Sequence, residues 1–115
     1  TVQPAPVEVA GGSPTRAAFV AAFEYLDDAA ANFNREVDAT DAEAVLQHCV
    51  ATSDSLLEMV SEIEPDAGFR QAHDDIHEAS EMMLLMQLER GEGPAADAAT
   101  LLLQLRRSLA QALAA

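Results

Sequence analysis

Apolar residues in this chain recur with the three-and-four spacing of a helix rather than the alternation of a strand, in four successive blocks. The first stripe is Phe19, Phe23, Leu26, Ala30, Phe33 and Val37. The second is Ala42, Leu46, Cys49, Ser53, Leu56, Val60 and Ile63. The third is Phe69, Ala72, Ile76, Ala79, Met83 and Met86, and the fourth is Ala98, Leu102, Leu105, Leu109 and Ala112. On a helix turning about 100° per residue each stripe gathers on one side, so the pattern predicts four amphipathic helices that bury one face each.

The residues between the stripes punctuate this reading. Ser13-Pro14-Thr15 offers a capping hydroxyl, then a proline where its missing N–H costs nothing. Thr40 and Glu43 read as a capping box that opens the second helix, and Pro65 as its end. Asp66 is the expected cap of the third helix, Gly91 its C-terminal cap, and Pro94 the first residue of the fourth. Linkers this short force neighbouring helices to run in opposite senses. The expected fold is therefore all-α, an antiparallel up-down-up-down four-helix bundle over residues 14–115. Residues 1–13, with two Pro, two Gly and no period, read as a flexible leader or linker. Leu84, Leu85 and Leu88 fall off the third stripe, as Leu101 and Leu103 fall off the fourth. A second apolar face of this kind widens the core or makes a contact with another chain.

Composition agrees with helices and narrows the partners. The 115 residues suit one domain with a single core, half of them are apolar, and only five are aromatic, with no Trp. All six basic residues are Arg, against twenty acidic ones, for a net charge of −14. That excludes a nucleic-acid surface, which needs clustered cations to displace counterions from phosphate, and it disfavours an anionic membrane. A basic protein partner or a bound cation suits the charge. No apolar run approaches the roughly 20 residues that cross a bilayer, so no membrane insertion is expected. Cys49 is the single cysteine, which excludes an internal disulfide and leaves the compartment open, cytoplasmic or exported. A chain without an initiator Met or signal peptide reads as an excised domain or a processed mature chain.

The feature closest to chemistry is the pair His73 and His77, four residues apart on one helix face, a spacing that offers a transition metal two ligands. If the second and third helices turn about position 65, His77 falls level with Ser53 and Asp54, His73 falls level with Leu57, and Cys49 lies about one turn beyond His77. A first turn between positions 38 and 39 brings Glu24 and Asp28 to that height, and the fourth helix adds Arg106 and Arg107. One layer would then hold His77, Asp54, Glu24 and an Arg. It is either an ion-pair network around the waist of the bundle or, with His73 and Cys49, a metal site. Met82, Met83 and Met86, with Met59, could offer thioethers to copper, but adaptable core filling is the favoured reading.

Phe69, His73, Ile76-His77, Ala79, the Leu-rich run, Gly91, Ala95-Ala96, Leu105, Ser108 and Leu113 resemble the second half of the chemoreceptor zinc-binding domains. Those are bacterial sensory four-helix bundles that hold zinc with three histidines and one cysteine, two of the histidines in H-x-x-x-H. The resemblance spans residues 69–113 and implies that His73 and His77 are zinc ligands and Cys49 the thiolate. The first block has no histidine, so Glu24 or Asp28 would have to replace that ligand. The Gly- and Trp-containing sequence that follows the family's cysteine is absent after Cys49. Other bundles fit less well. The axial Met and His of b-type cytochromes have no counterparts, and no E-x-x-H pair of a di-iron site occurs. A histidine phosphotransfer role for His73 would place Asp74, Asp75 and Glu78 against an incoming phosphoryl group. The expected function is thus a non-enzymatic binding or sensory module. It binds zinc through His73 and His77, or it binds a protein or a second copy through Leu84, Leu85 and Leu88.

Overall fold

The breaks between helices fall where the apolar period lapses. The computed structural model describes residues 14–114, so Ser13 and the expected leader lie outside the described residues. Helix α1 runs Pro14–Glu36 and α2 runs Ala42–Val60; a 3₁₀ turn, Ala67–Phe69, leads into α3, Arg70–Glu89, and α4 runs Glu92–Ala114. There is no strand among the described residues, and the helices pack as an all-α four-helix bundle.

Several boundaries differ from those the sequence suggested, each for a local reason. The cap of α2 is Asp41, whose carboxylate accepts from the backbone N–H groups of Glu43 and Ala44 at 3.1 and 3.3 Å. Thr40 instead donates from both its backbone N–H and its hydroxyl to Asp38, at 2.9 and 2.6 Å. Those bonds, the hydroxyl's first, hold the Asp38 carboxyl below its ordinary pKa. Helix α2 stops at Val60, well before Pro65, so Ile63 sits in the turn. Asp66 makes no side-chain cap; its backbone carbonyl accepts from Phe69 N–H at 2.9 Å and closes the 3₁₀ turn. Arg90, with φ of 59°, ends α3, and Gly91 follows at φ of 103°. Two successive residues with positive φ reverse the chain so tightly that α4 starts at Glu92, ahead of Pro94.

Cross-helix contacts join α1 to α2, α2 to α3 and α3 to α4. Phe33 meets His48 edge-on at 5.3 Å, Ser80 donates to Asp54 at 3.5 Å, and Ser108 donates to Asp75 at 2.7 Å. Arg16 reaches the Leu113 carbonyl at 2.8 Å, a cation on the last turn of α4 where the helix dipole is negative. Helices α2 and α4 pack on each other and on both remaining helices, whereas α1 and α3 pack chiefly on α2 and α4. The cross-section is therefore a rhombus with α1 and α3 at its far corners. Small residues are buried on the other two helices, Cys49 and Ser53 on α2 and Ala95 and Ala98 on α4, and Cys49, Ala95 and Ala98 share one core cluster.

The core divides into two clusters along the bundle. One gathers Phe19, Leu26, Leu56, Val60, Ile76 and Leu109, with Phe69 stacked on Phe19 at 5.0 Å. The other gathers Val45, Leu46, Cys49, Val50, Met83 and Met86 with Ala95 and Ala98. Met83 and Met86 are thus core residues, while Met82 is partly exposed. Between the clusters in sequence, α2 carries Thr52 and Ser53. Thr52 donates to the His48 carbonyl at 2.8 Å, and the Ser53 hydroxyl is buried without a hydrogen-bond partner. Leu56 is fully buried, so Leu56→Ala is expected to lower the unfolding free energy by about 2–5 kcal/mol in urea denaturation. Asp41→Ala removes the α2 cap and is expected to cost about 1 kcal/mol by the same measurement.

Candidate functional site

Helix α3 buries Ala72, Ile76, Ala79, Ser80, Met83 and Met86. At about 100° per residue, its opposite side carries Asp74, His77, Glu81, Leu84, Leu85 and Leu88. The corner position of α3 leaves that side in solvent: Leu84, Leu85 and Leu88 are 54, 63 and 80 % exposed. Leu103 on α4 is also exposed. Leu88 adjoins an open cleft of about 530 Å³ between the start of α2 and the end of α3, lined by Asp41, Glu43, Leu46, Gln47, Gln87 and Leu88 among others. Arg90 reaches across it to Glu43 at 3.5 Å. Both side chains are well exposed, so water and salt screen this pair and it is worth little.

The histidine pair lies toward the other end of α3. The rings of His73 and His77 stand 4.6 Å apart, centroid to centroid, tilted by 44°. His77 is exposed, while the side chain of His73 is 15 % exposed and neither of its ring nitrogens has a hydrogen-bond partner. The Asp74 carboxylate approaches His73 Nδ1 at 3.6 Å, too far to bond it. A neutral imidazole carries one donor and one lone pair, so His73 leaves both unused.

The other sequence-proposed ligands stand elsewhere. Asp54 pairs with Ser80 instead of lying beside His77. The Asp54–Ser80 contact sets α3 about one helical turn from the level that a simple pivot at position 65 gives. Cys49 belongs to the cluster of Met83 and Met86, six to nine residues beyond His77, or roughly 9–14 Å along the helix axis. Glu24 is exposed on α1, about 140° around the helix from Phe19. Asp28 lines a different groove, beside His48 and Thr52. Among the described residues no three His, Cys, Asp or Glu side chains converge where a metal could sit. A tetrahedral zinc shell needs four donors, and among the described residues no third such side chain joins the two imidazoles.

The expected arginine forms its ion pair on another face. Arg106 donates from Nε and a terminal nitrogen to one Asp27 oxygen at 2.8 and 2.6 Å, and its guanidinium lies 5.2 Å from the Phe23 ring. Phe23 was expected only as part of the apolar stripe of α1, and Asp27 was not singled out by the sequence pattern; its one available signal was its place on the flank of α1 at the height of Arg106. No family model, curated protein or solved structure matches this chain.

Burial raises the Cys49 thiol from 9.0 to about 11, which disfavours the thiolate a nucleophile or metal ligand requires. A group with its pKa raised by folding contributes stability that is complete below its unfolded value and lost as pH rises through its folded one. The chain has no Lys, and its one Tyr is partly exposed, so Cys49 should dominate this alkaline window. The unfolding free energy is expected to hold below pH 9.0 and fall toward about pH 11, by on the order of 2–3 kcal/mol. Denaturation of Cys49→Ala over the same window should show the slope removed.

Proposed function

We propose that this chain is a non-enzymatic binding module that docks a protein partner on the outer face of α3, in a bundle whose cross-helix pairs support the antiparallel up-down-up-down order. The observation that carries this reading is the exposure of Leu84, Leu85 and Leu88 on a helix that already buries a full apolar stripe. Exposed apolar surface of this kind destabilises nothing in the monomer but gains free energy once covered. No helix among the described residues is long and apolar enough to cross a membrane. The acidic surface disfavours an anionic lipid or nucleic acid as the cover.

The reading is tested by replacing all three leucines with glutamine. The variant should keep the wild-type helical circular dichroism. Proteins retained from a cell extract on the immobilised wild type should be lost from the variant, as should any self-association seen by sedimentation. Equal retention by both proteins, with no difference in association, would contradict the reading.

A second reading rests on a different observation, the two unpaired ring nitrogens of His73 beside His77. In it the two imidazoles bind a transition metal, in keeping with the resemblance of residues 69–113 to chemoreceptor zinc-binding domains, and water or a partner's donors fill the remaining positions. A ligand that binds only the folded chain raises its melting temperature. Zinc should therefore raise the melting temperature over that in chelator, and His73→Ala should abolish the difference; identical melting of the wild type in zinc and in chelator would end this reading.

A further inference from the structure

We infer that the occupant of the outer α3 face is a basic amphipathic helix, its apolar stripe on Leu84, Leu85 and Leu88 and its Lys or Arg residues against the carboxylates beside them. The inference rests on the reading of that face as a binding surface and specifies the partner's chemistry.

His77, Glu81, Leu84 and Leu88 follow one another at intervals of four, three and four residues, the spacing by which two helices mesh side chains. That stripe is roughly 17 Å long at 1.5 Å per residue, about three turns of a partner helix. At its end the cleft beside Leu88, about 530 Å³, offers Leu46 and Ala42 as an apolar floor for one anchoring side chain. Buried anchors of that kind carry most of the energy of an interface.

The charge around this face is acidic. Asp74, Glu78, Glu81 and Glu89 lie on the exposed part of α3, and Asp41 and Glu43 line the cleft at the start of α2, a helix with no Lys or Arg. Arg90, the cation that lines the cleft, is held by a long and exposed contact to Glu43, which an incoming Lys or Arg can replace. A second copy of the chain is the poorer occupant. A two-fold contact would turn Glu78, Glu81 and Glu89 toward an equally acidic flank on a partner of net charge −14. A basic helix converts the same carboxylates into attraction.

The probe is a dye-labelled 18-residue model helix with Leu at helical spacing and Lys elsewhere, followed by fluorescence anisotropy. Two controls share its length: a scrambled sequence of the same composition, and a Leu–Glu helix with the same stripe. The Leu–Lys helix should bind, and more weakly as salt rises. The scrambled and Leu–Glu peptides should bind at least roughly tenfold more weakly, and Leu84→Ala/Leu88→Ala should weaken the Leu–Lys helix by a similar factor. Glu78→Lys/Glu81→Lys, in which no buried residue changes, should transfer preference from the Leu–Lys to the Leu–Glu helix.

Equal binding of the scrambled peptide, or binding unchanged by the leucine and charge variants, would overturn the inference. So would a stable wild-type dimer that dissociates in Leu88→Ala, since the second copy would then be the occupant. If no peptide binds but leucine-dependent retention from extract persists, the basic helix is wrong and the binding face stands. If retention is also independent of the leucines, the face itself is wrong.

Discussion

The close approach of α2 and α4 is the constraint from which the rest of the bundle follows. Cys49 on α2 shares a core cluster with Ala95 and Ala98 on α4, and side chains this small let the two helices meet directly. Once they meet, α1 and α3 occupy outer corners and each packs chiefly on two neighbours. A helix in that position buries about half its circumference. For α3 the buried half is a regular apolar stripe, whereas the exposed half still presents three leucines. The exposed leucine face is thus a consequence of how the core is packed, not an addition to it.

The same geometry shows why the architecture was legible in the sequence and the candidate site was not. Helical stripes depend on local spacing, and Leu56, Ile76, Met83 and Leu109 all fall inside where their period places them. Levels between helices depend on how much chain a turn consumes, which spacing does not record. Across the turn that holds Ser61 to Asp66 and the 3₁₀ helix, Asp54 meets Ser80, one turn away from its expected neighbour His77. One turn suffices to disperse a layer that needed four side chains at one height. Caps proved ambiguous for a similar reason. Thr40 and Asp41 both stand just before α2, and Asp41 caps it while the Thr40 hydroxyl donates to Asp38 instead.

His73 and Cys49 illustrate two fates of chemically capable residues in such a bundle. Cys49 is absorbed into the core, where its surroundings push the thiol up to about 11 and make it a small apolar side chain at neutral pH. His73 is also largely covered but remains unsatisfied, and an unpaired buried nitrogen costs roughly 1–3 kcal/mol. The chain tolerates that cost at the edge of the same helix face that carries Leu84 and Leu88. A partner or metal that reached His73 would relieve it. Solvent-facing leucines and an unsatisfied imidazole therefore mark one side of α3 as the part of the molecule not optimised for the isolated fold.

The central claim is that α3 has one face for folding and another for binding, and a pair of equilibrium unfolding measurements tests it most directly. Met83 is fully buried and Leu88 is 80 % exposed on the same helix. In urea, Met83→Ala should lower the unfolding free energy by about 2–5 kcal/mol, while Leu88→Ala should leave it within about 0.5 kcal/mol of the wild type. Comparable losses from the two substitutions would show that the outer leucines serve the fold, and would contradict the account.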